Sequence, residues 1–151
     1  MPGQIVKAGA EQFHLVQHIT HETIRAVYPH YYPTGVVEFF LAHHSSERIM
    51  ADISAGIVYL LLDGDEAAGT VTVKENEICR LFVLPRHQHR GFGRQLMDFA
   101  EEMIAEEHRE ICLDASLPAK RIYLKRGFAP VEAHQIVLEN GDVLCYDLMK
   151  K

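Results

Sequence analysis

The chain reads as a mixed α/β domain: a sheet of about seven strands flanked by about four helices on its two faces. Three observations predict this. Apolar runs of strand length are interspersed with segments of helical period along the 151 residues. One such run, Ile78 to Leu84, passes through a basic, glycine-containing turn straight into an amphipathic helix. Near the C-terminus, two strand-like segments flank Asn140-Gly141, a pair that favours a tight hairpin turn. No repeat, low-complexity run or linker interrupts the chain, so residues 1–151 are taken as a single domain.

Taken in order, Ile5 to Ala8 is a short first strand. From about Glu11 to Tyr28, Phe13, Val16, Ile19, Ile24 and Val27 fall near helical spacing. Pro29 and Pro33 bracket an aromatic break, and a second helix covers about Thr34 to His43. Ser45 or Ser46 then caps a further turn through Ile49 and Ile53. Ile57 to Leu62 is continuously apolar, as a strand covered on both faces would be. Asp63-Gly64-Asp65 turns it into a strand at Ala68–Val73, and Lys74-Glu75-Asn76 leads on to Glu77–Leu84. The helix from Gly91 to about Glu107 is expected to bury Phe92, Leu96, Phe99, Ala100, Met103 and Ile104. Its acidic residues Asp98, Glu101, Glu102 and Glu106 would form a solvated face. A strand at Ile111–Leu113, a helix holding Tyr123, and a hairpin of Gln135–Leu138 with Val143–Leu148 complete the order.

Composition excludes several classes. Fifteen Lys and Arg against 21 Asp and Glu, a net charge of −6, argue against nucleic-acid binding, which needs a basic face. No stretch approaches the ~20 apolar residues of a membrane span. Met1-Pro2-Gly3-Gln4 does not begin an export signal. Three widely spaced cysteines, Cys79, Cys112 and Cys145, sit in apolar runs and read as buried, reduced thiols of a cytoplasmic protein. Ten histidines are scattered without a His-Glu-x-x-His or Cys-x-x-Cys pattern, so no metal site is expected and surface positions are the default.

The chemistry concentrates at Leu84–Leu96. The first turn of a helix has backbone N–H groups without partners and carries the positive end of the helix dipole. Gly91 and Gly93 would let a ligand approach that backbone closely, and Arg86, Arg90 and Arg94 surround it. Such a turn suits a phosphate or pyrophosphate. A nucleotide P-loop is excluded because no Gly-Lys-Ser/Thr occurs. A dinucleotide fingerprint is excluded because Leu96 stands where its third glycine belongs.

What remains is Gln88-x-x-Gly91-x-Gly93 after a strand, which resembles the acyl-coenzyme-A signature of the GNAT superfamily of N-acetyltransferases. Downstream, Ala119, Tyr123, Gly127 and Phe128 resemble that family's second signature in register. Ile122 replaces its usual Leu and Ser116 its usual Asn. The resemblance covers roughly Ile57 to Phe128 and implies a GNAT-like fold splayed between its fourth and fifth strands.

It further implies acetyl-CoA as co-substrate, with the pantetheine arm along Phe82, Val83 and Leu84. The pyrophosphate would lie on the amides of His89, Arg90, Gly91, Phe92, Gly93 and Arg94, helped by Gln88 and with Ser116 nearby. The amide of Val83 or Leu84 would meet the thioester oxygen. Tyr123 would act as the acid for the departing thiolate and Glu77 as the base. Glu22, His21, Tyr31 and Tyr32 would contact the acceptor. The implied activity is transfer of an acetyl group to a primary amine of a small molecule or peptide by direct attack in a ternary complex, with no metal. A homodimer is compatible with it. A non-catalytic acyl-CoA sensor and an unrelated interaction domain remain the competing readings. Tyr123 could instead be a packing residue, Glu77 an exposed turn residue, and Arg80 either an acceptor contact or a structural ion pair. By strict alternation, Arg80 and Glu77 would point to opposite faces.

Overall fold

The computed structural model describes residues 2–151; Met1, part of the N-terminal segment considered above, lies outside them. Seven strands form one sheet in the order β1-β2-β3-β4-β5-β7-β6. They are β1 (Gln4–Lys7), β2 (Val58–Asp63), β3 (Glu66–Lys74), β4 (Glu77–Val83), β5 (Cys112–Ala115), β6 (Ala129–Val137) and β7 (Val143–Lys150). The helices are α1 (Phe13–Val27), α2 (Thr34–His43), α3 (Ser46–Ser54), α4 (Phe92–Ala105) and α5 (Leu117–Lys125). The turn expected after Ser45 is thus a helix of its own, α3, and Ser45 caps it by accepting from the Arg48 amide.

All neighbouring strands pair antiparallel except β4 and β5, which run parallel and meet only at Glu77 and Cys112. Beyond that point the two strands diverge, which is the splay the fold class required. Short turns make the antiparallel part possible. Gly64 and Gly141 take φ of +64° and +90°, and Asn140 accepts from the Asp142 amide to brace the second of these turns.

Each face of the sheet has its own core. On one, Phe92, Leu96, Met97, Ala100 and Ile104 of α4 cover Leu61, Val71, Val83 and Leu113, with Tyr123 and Phe128 beside them. On the other, Val16, Ile19 and Ile24 of α1, Val36 of α2 and Ile49 of α3 cover Val58, Leu60, Phe82 and Leu84. The 3.6-residue period of these helices aligns their apolar residues toward the sheet.

Four expectations are corrected. In α4, Met97 is buried while Phe99 and Met103 are half-buried, Phe99 lying edge-on to Tyr59 at 4.9 Å. Glu101 is no part of a solvated face. It is 9% exposed and accepts from Arg126 Nε and Lys151 Nζ, both at 2.6 Å. Those cations arrive from the end of α5 and from the C-terminus, so helical periodicity could not reveal them. Cys145 is exposed, and Cys79 and Cys112 are half-buried rather than buried. His44 and His87 are buried instead of lying on the surface.

Candidate active site

The turn leading into α4 is built from left-handed residues. His89 and Gly91 take φ of +63° and +85°, and Gly91 is the residue on which the helix starts. Having no side chain, Gly91 cannot cap, and the first helical bond runs from the Gln95 amide to the Gly91 carbonyl. The amides of Phe92, Gly93 and Arg94 are therefore left without helical partners. A Cβ at Gly91 would meet nothing within 4 Å, and one at Gly93 would only reach Val83 Cγ2 at 4.0 Å. Gly91 is explained by its φ. Gly93 is helical with open space around it, so neither backbone nor packing demands a glycine there. The open space leaves room for a ligand against the amides, as the resemblance implies for a diphosphate.

Of the surrounding cations, Arg90 pairs with Asp63 at 2.9 Å and Arg86 lies 3.7 Å from Glu66, so the β2–β3 turn holds both. Arg94 is exposed and has no acidic partner among the described residues. It lines a cavity of about 460 Å³ with Gly93, Met97, Ile122, Lys125 and Arg126. This groove, with its apolar floor and basic rim, continues from the turn, and Lys125 was not singled out in the sequence. Gln88 turns inward, its Nε2 donating to the Val83 carbonyl at 2.9 Å. It braces the end of β4 at the point where the strand leaves the sheet.

Strand alternation sorts the backbone groups along the splay. The Leu84 amide donates to the Ala68 carbonyl at 2.9 Å and is occupied. The Val83 groups consequently point away from β3, toward the gap. Of the two amides expected to face the thioester oxygen, that of Leu84 is thus taken up by β3 and that of Val83 is directed to the gap.

A second cavity, of about 540 Å³, lies between α2, α3 and the C-terminal half of the sheet. Tyr123, Glu77, Phe82 and Ser116 line it, together with Tyr28, Phe40, His44, Asp114 and Tyr146, which sequence reasoning had not named as site residues. Tyr123 is 8% exposed and its ring lies 5.9 Å from Phe128. Its hydroxyl has no hydrogen-bond partner among the described residues, and burial raises its pKa, with a smaller contribution from Tyr28, so the phenol keeps its proton. Ser116 begins α5 and accepts from the Tyr28 hydroxyl at 3.4 Å. Glu77 is half-buried, and burial, assisted by Asp114, raises its pKa above the ordinary carboxylate range. Asp114 is two residues along β5 from the Cys112 that pairs with Glu77, and burial raises its pKa too.

Arg80 corrects the strand arithmetic. Val73 pairs with Ile78 and Thr72 with Arg80, so Cys79 is an extra residue, a β-bulge. The bulge shifts the alternation by one and brings Glu77 and Arg80 to the same face. Arg80, 5% exposed, donates to Asp52 at 3.2 Å, Thr72 at 3.0 Å and His44 at 3.2 Å. It forms an ion pair that joins β4 to α3, and it also lines the cavity. The neighbouring Cys79 thiol is pushed up to about 12, chiefly by burial, and stays protonated, which suits no nucleophilic role.

The residues expected to contact the acceptor lie elsewhere. Glu22 and Tyr31 are exposed, and Tyr32 is buried with its hydroxyl accepting from the Leu117 amide at 2.7 Å; none of the three lines the cavity. His21 donates from Nε2 to the His44 carbonyl at 2.7 Å. From that helix and loop it is Tyr28 that reaches the cavity. No cluster of three or more potential metal ligands occurs among the described residues.

A sheet opened between a parallel pair, an uncapped glycine turn at its mouth and a cavity lined by both carboxylates and cations beside it make up the arrangement that the resemblance implies. Residues 27–141 match the family described as the acetyltransferase (GNAT) domain, and the chain belongs to that family. An uncharacterised N-acetyltransferase in the pepI 3′ region of Lactobacillus delbrueckii subsp. lactis is 35% identical over 98 residues, 62% of this chain. The chain thus spans just over half, 56%, of that relative's length. A GCN5-related N-acetyltransferase from Rhodopseudomonas palustris superposes with a TM-score of 0.90 at 21% identity, covering 100% of this chain and 96% of that one. The PaiA N-acetyltransferase of Thermoplasma acidophilum, solved with coenzyme A, gives 0.77 at 19% identity over 100% and 99%. Arabidopsis thaliana Naa50, solved with the bisubstrate analogue CoA-Ac-MVNAL, gives 0.68 at 20% over 100% and 99%. At these identities the solved structures establish the shared fold.

Proposed function

We propose that this chain is an N-acetyltransferase that moves an acetyl group from acetyl-CoA to a primary amine of a small molecule or peptide, by direct attack with both substrates bound. The observation that carries this reading is the parallel contact of β4 and β5 at Glu77 and Cys112 alone, opening toward the uncapped start of α4. Acetyl-CoA supplies the activated acyl group. The amides of Phe92, Gly93 and Arg94 bind its diphosphate, and Arg94 and Lys125 border the groove for the rest of the nucleotide end. The Val83 amide donates to the acyl oxygen as it gains negative charge. Glu77 accepts the proton of the amine, and Asp114 beside it favours a cationic partner. Tyr123 gives its phenolic proton to the leaving sulfur. A neutral Cys79 suits direct transfer better than a covalent acyl-enzyme. The odd cysteine count supports a cytoplasmic setting.

Calorimetry with coenzyme A and acetyl-CoA, followed by thiol release with a panel of amines and peptides, tests the reading. Heat with both ligands and turnover with an amine are expected. No heat with either removes the proposal, and heat without turnover on any acceptor makes the chain a non-catalytic acyl-CoA sensor.

Glu77 must be ionised to act as base, and its pKa is raised. Activity is therefore expected to fall as the pH drops through a value above the ordinary carboxylate range. Glu77→Gln should lower kcat about 100-fold and remove that acidic limb. A pH profile of the same shape in the variant would assign the base to another group.

A further inference from the structure

His44 stands at the end of α2 and is held at both ends. Its carbonyl accepts from His21 Nε2 at 2.7 Å, and its ring accepts from Arg80 Nε at 3.2 Å. Phe82 and His43 sit edge-on to the ring at 5.7 Å and 4.9 Å. An arginine Nε–H can only donate, so Nδ1 of His44 is an acceptor and the single proton of the neutral ring sits on Nε2. Burial and the charge of Arg80, with smaller effects of His43, His21 and Arg48, push the pKa down to about 3, so the ring stays neutral. The residue is 7% exposed and lines the 540 Å³ cavity, and Nε2 has no partner among the described residues. The cavity wall therefore carries a rigid, uncharged N–H donor in addition to the carboxylates of Glu77 and Asp114.

We infer that His44 is a specificity-determining residue whose Nε2–H receives a carbonyl oxygen of the acceptor, so that the cavity selects amines bearing a carbonyl, such as amino-acid amides or peptides, over plain alkylamines and polyamines. The inference rests on the acetyltransferase reading of the same cavity. A protonated polyamine offers only donors and gives the cavity-lining Nε2–H no acceptor. An α-amino amide supplies an amine for Glu77 and an oxygen for His44. A site built to hydrogen-bond a substrate group discriminates against the analogue that lacks it.

The test compares phenylalaninamide with 2-phenylethylamine, which differ by the carboxamide. The wild-type ratio of kcat/KM should exceed that of His44→Phe by about 10- to 100-fold. Because both enzymes meet the same two amines, the difference in amine basicity cancels. His44→Gln, which keeps an N–H near the Nε2 position, should restore much of the ratio, whereas a structural role would lower both substrates alike. An unchanged ratio in His44→Phe overturns the inference. Should that variant fail to fold, nitrogen-15 NMR of the wild-type chain decides. A neutral Nε2–H tautomer that shifts on adding phenylalaninamide and not phenylethylamine is expected. A ring protonated at neutral pH, or one unmoved by the amide, overturns it. If neither amine is turned over, the NMR result decides whether His44 binds the carbonyl, and turnover on the wider panel of amines and peptides decides the acetyltransferase reading separately.

Discussion

Gly93→Glu is expected to yield a folded, slightly more stable domain that no longer binds coenzyme A. Position 93 is in the first turn of α4, and a Cβ there would reach only Val83 Cγ2 at 4.0 Å. Replacing a helical glycine gains a few tenths to ~1 kcal/mol of helix propensity. A carboxylate in a first turn adds about 0.3–1 kcal/mol against the dipole. In a chain of this size that raises Tm by a few degrees. The same side chain lies where the diphosphate would rest, and like charges in contact cost several kcal/mol. Affinity for coenzyme A should therefore fall more than about 100-fold. The two effects have opposite signs, so a binding loss cannot be blamed on unfolding. Retained affinity by calorimetry, with the expected rise in Tm, would eliminate the turn at residues 89–94 as the diphosphate site.

Tyr123→Phe is expected to slow acetyl transfer by about 100- to 10,000-fold, the usual range for removing a positioned acid. Coenzyme A affinity should stay within about threefold, because the hydroxyl touches no part of the diphosphate turn. The phenol has no protein partner, so its loss strands no buried group, and Tm should hold or rise. With its pKa raised, Tyr123 remains protonated throughout the neutral range and well into the alkaline one. The wild-type rate accordingly shows no alkaline decline from this group near its ordinary pKa. Unchanged turnover in the variant would leave Tyr123 as packing against Phe128.

Turns and caps were legible because their residues act locally. Gly91 is needed for its own φ, Ser45 caps the helix it precedes, and Asn140-Gly141 turns the chain within four residues. The expected strands and helices overlap the observed ones for the same reason. The lining of the 540 Å³ cavity was not legible in this way. Glu22, Tyr31 and Tyr32 come from the same segment as Tyr28, yet only the packing of α1 and α2 on Phe82 decides that Tyr28 lines the cavity and they do not. Arg80 and Glu77 were assigned to opposite faces because nothing in Glu77–Leu84 announces a bulge. The extra residue appears only in the pairing with β3.

From residue order alone came the α/β class and the glycine turn before α4; the resemblance to the GNAT superfamily added Tyr123 and Glu77 as the chemical candidates. Backbone torsions, caps and apolar periods depend on neighbours a few positions away, so the chain states them directly. Tertiary contacts decided which cations are free, that Val83 and not Leu84 keeps its amide, and that His44 is a neutral donor. Those outcomes arise from partners far off in sequence: Asp63 neutralising Arg90, Ala68 occupying Leu84, and Arg80 reaching His44 across 36 positions. Charge, burial and hydrogen-bond saturation are set by what surrounds a group in space, and at this site that surrounding comes from several separate elements.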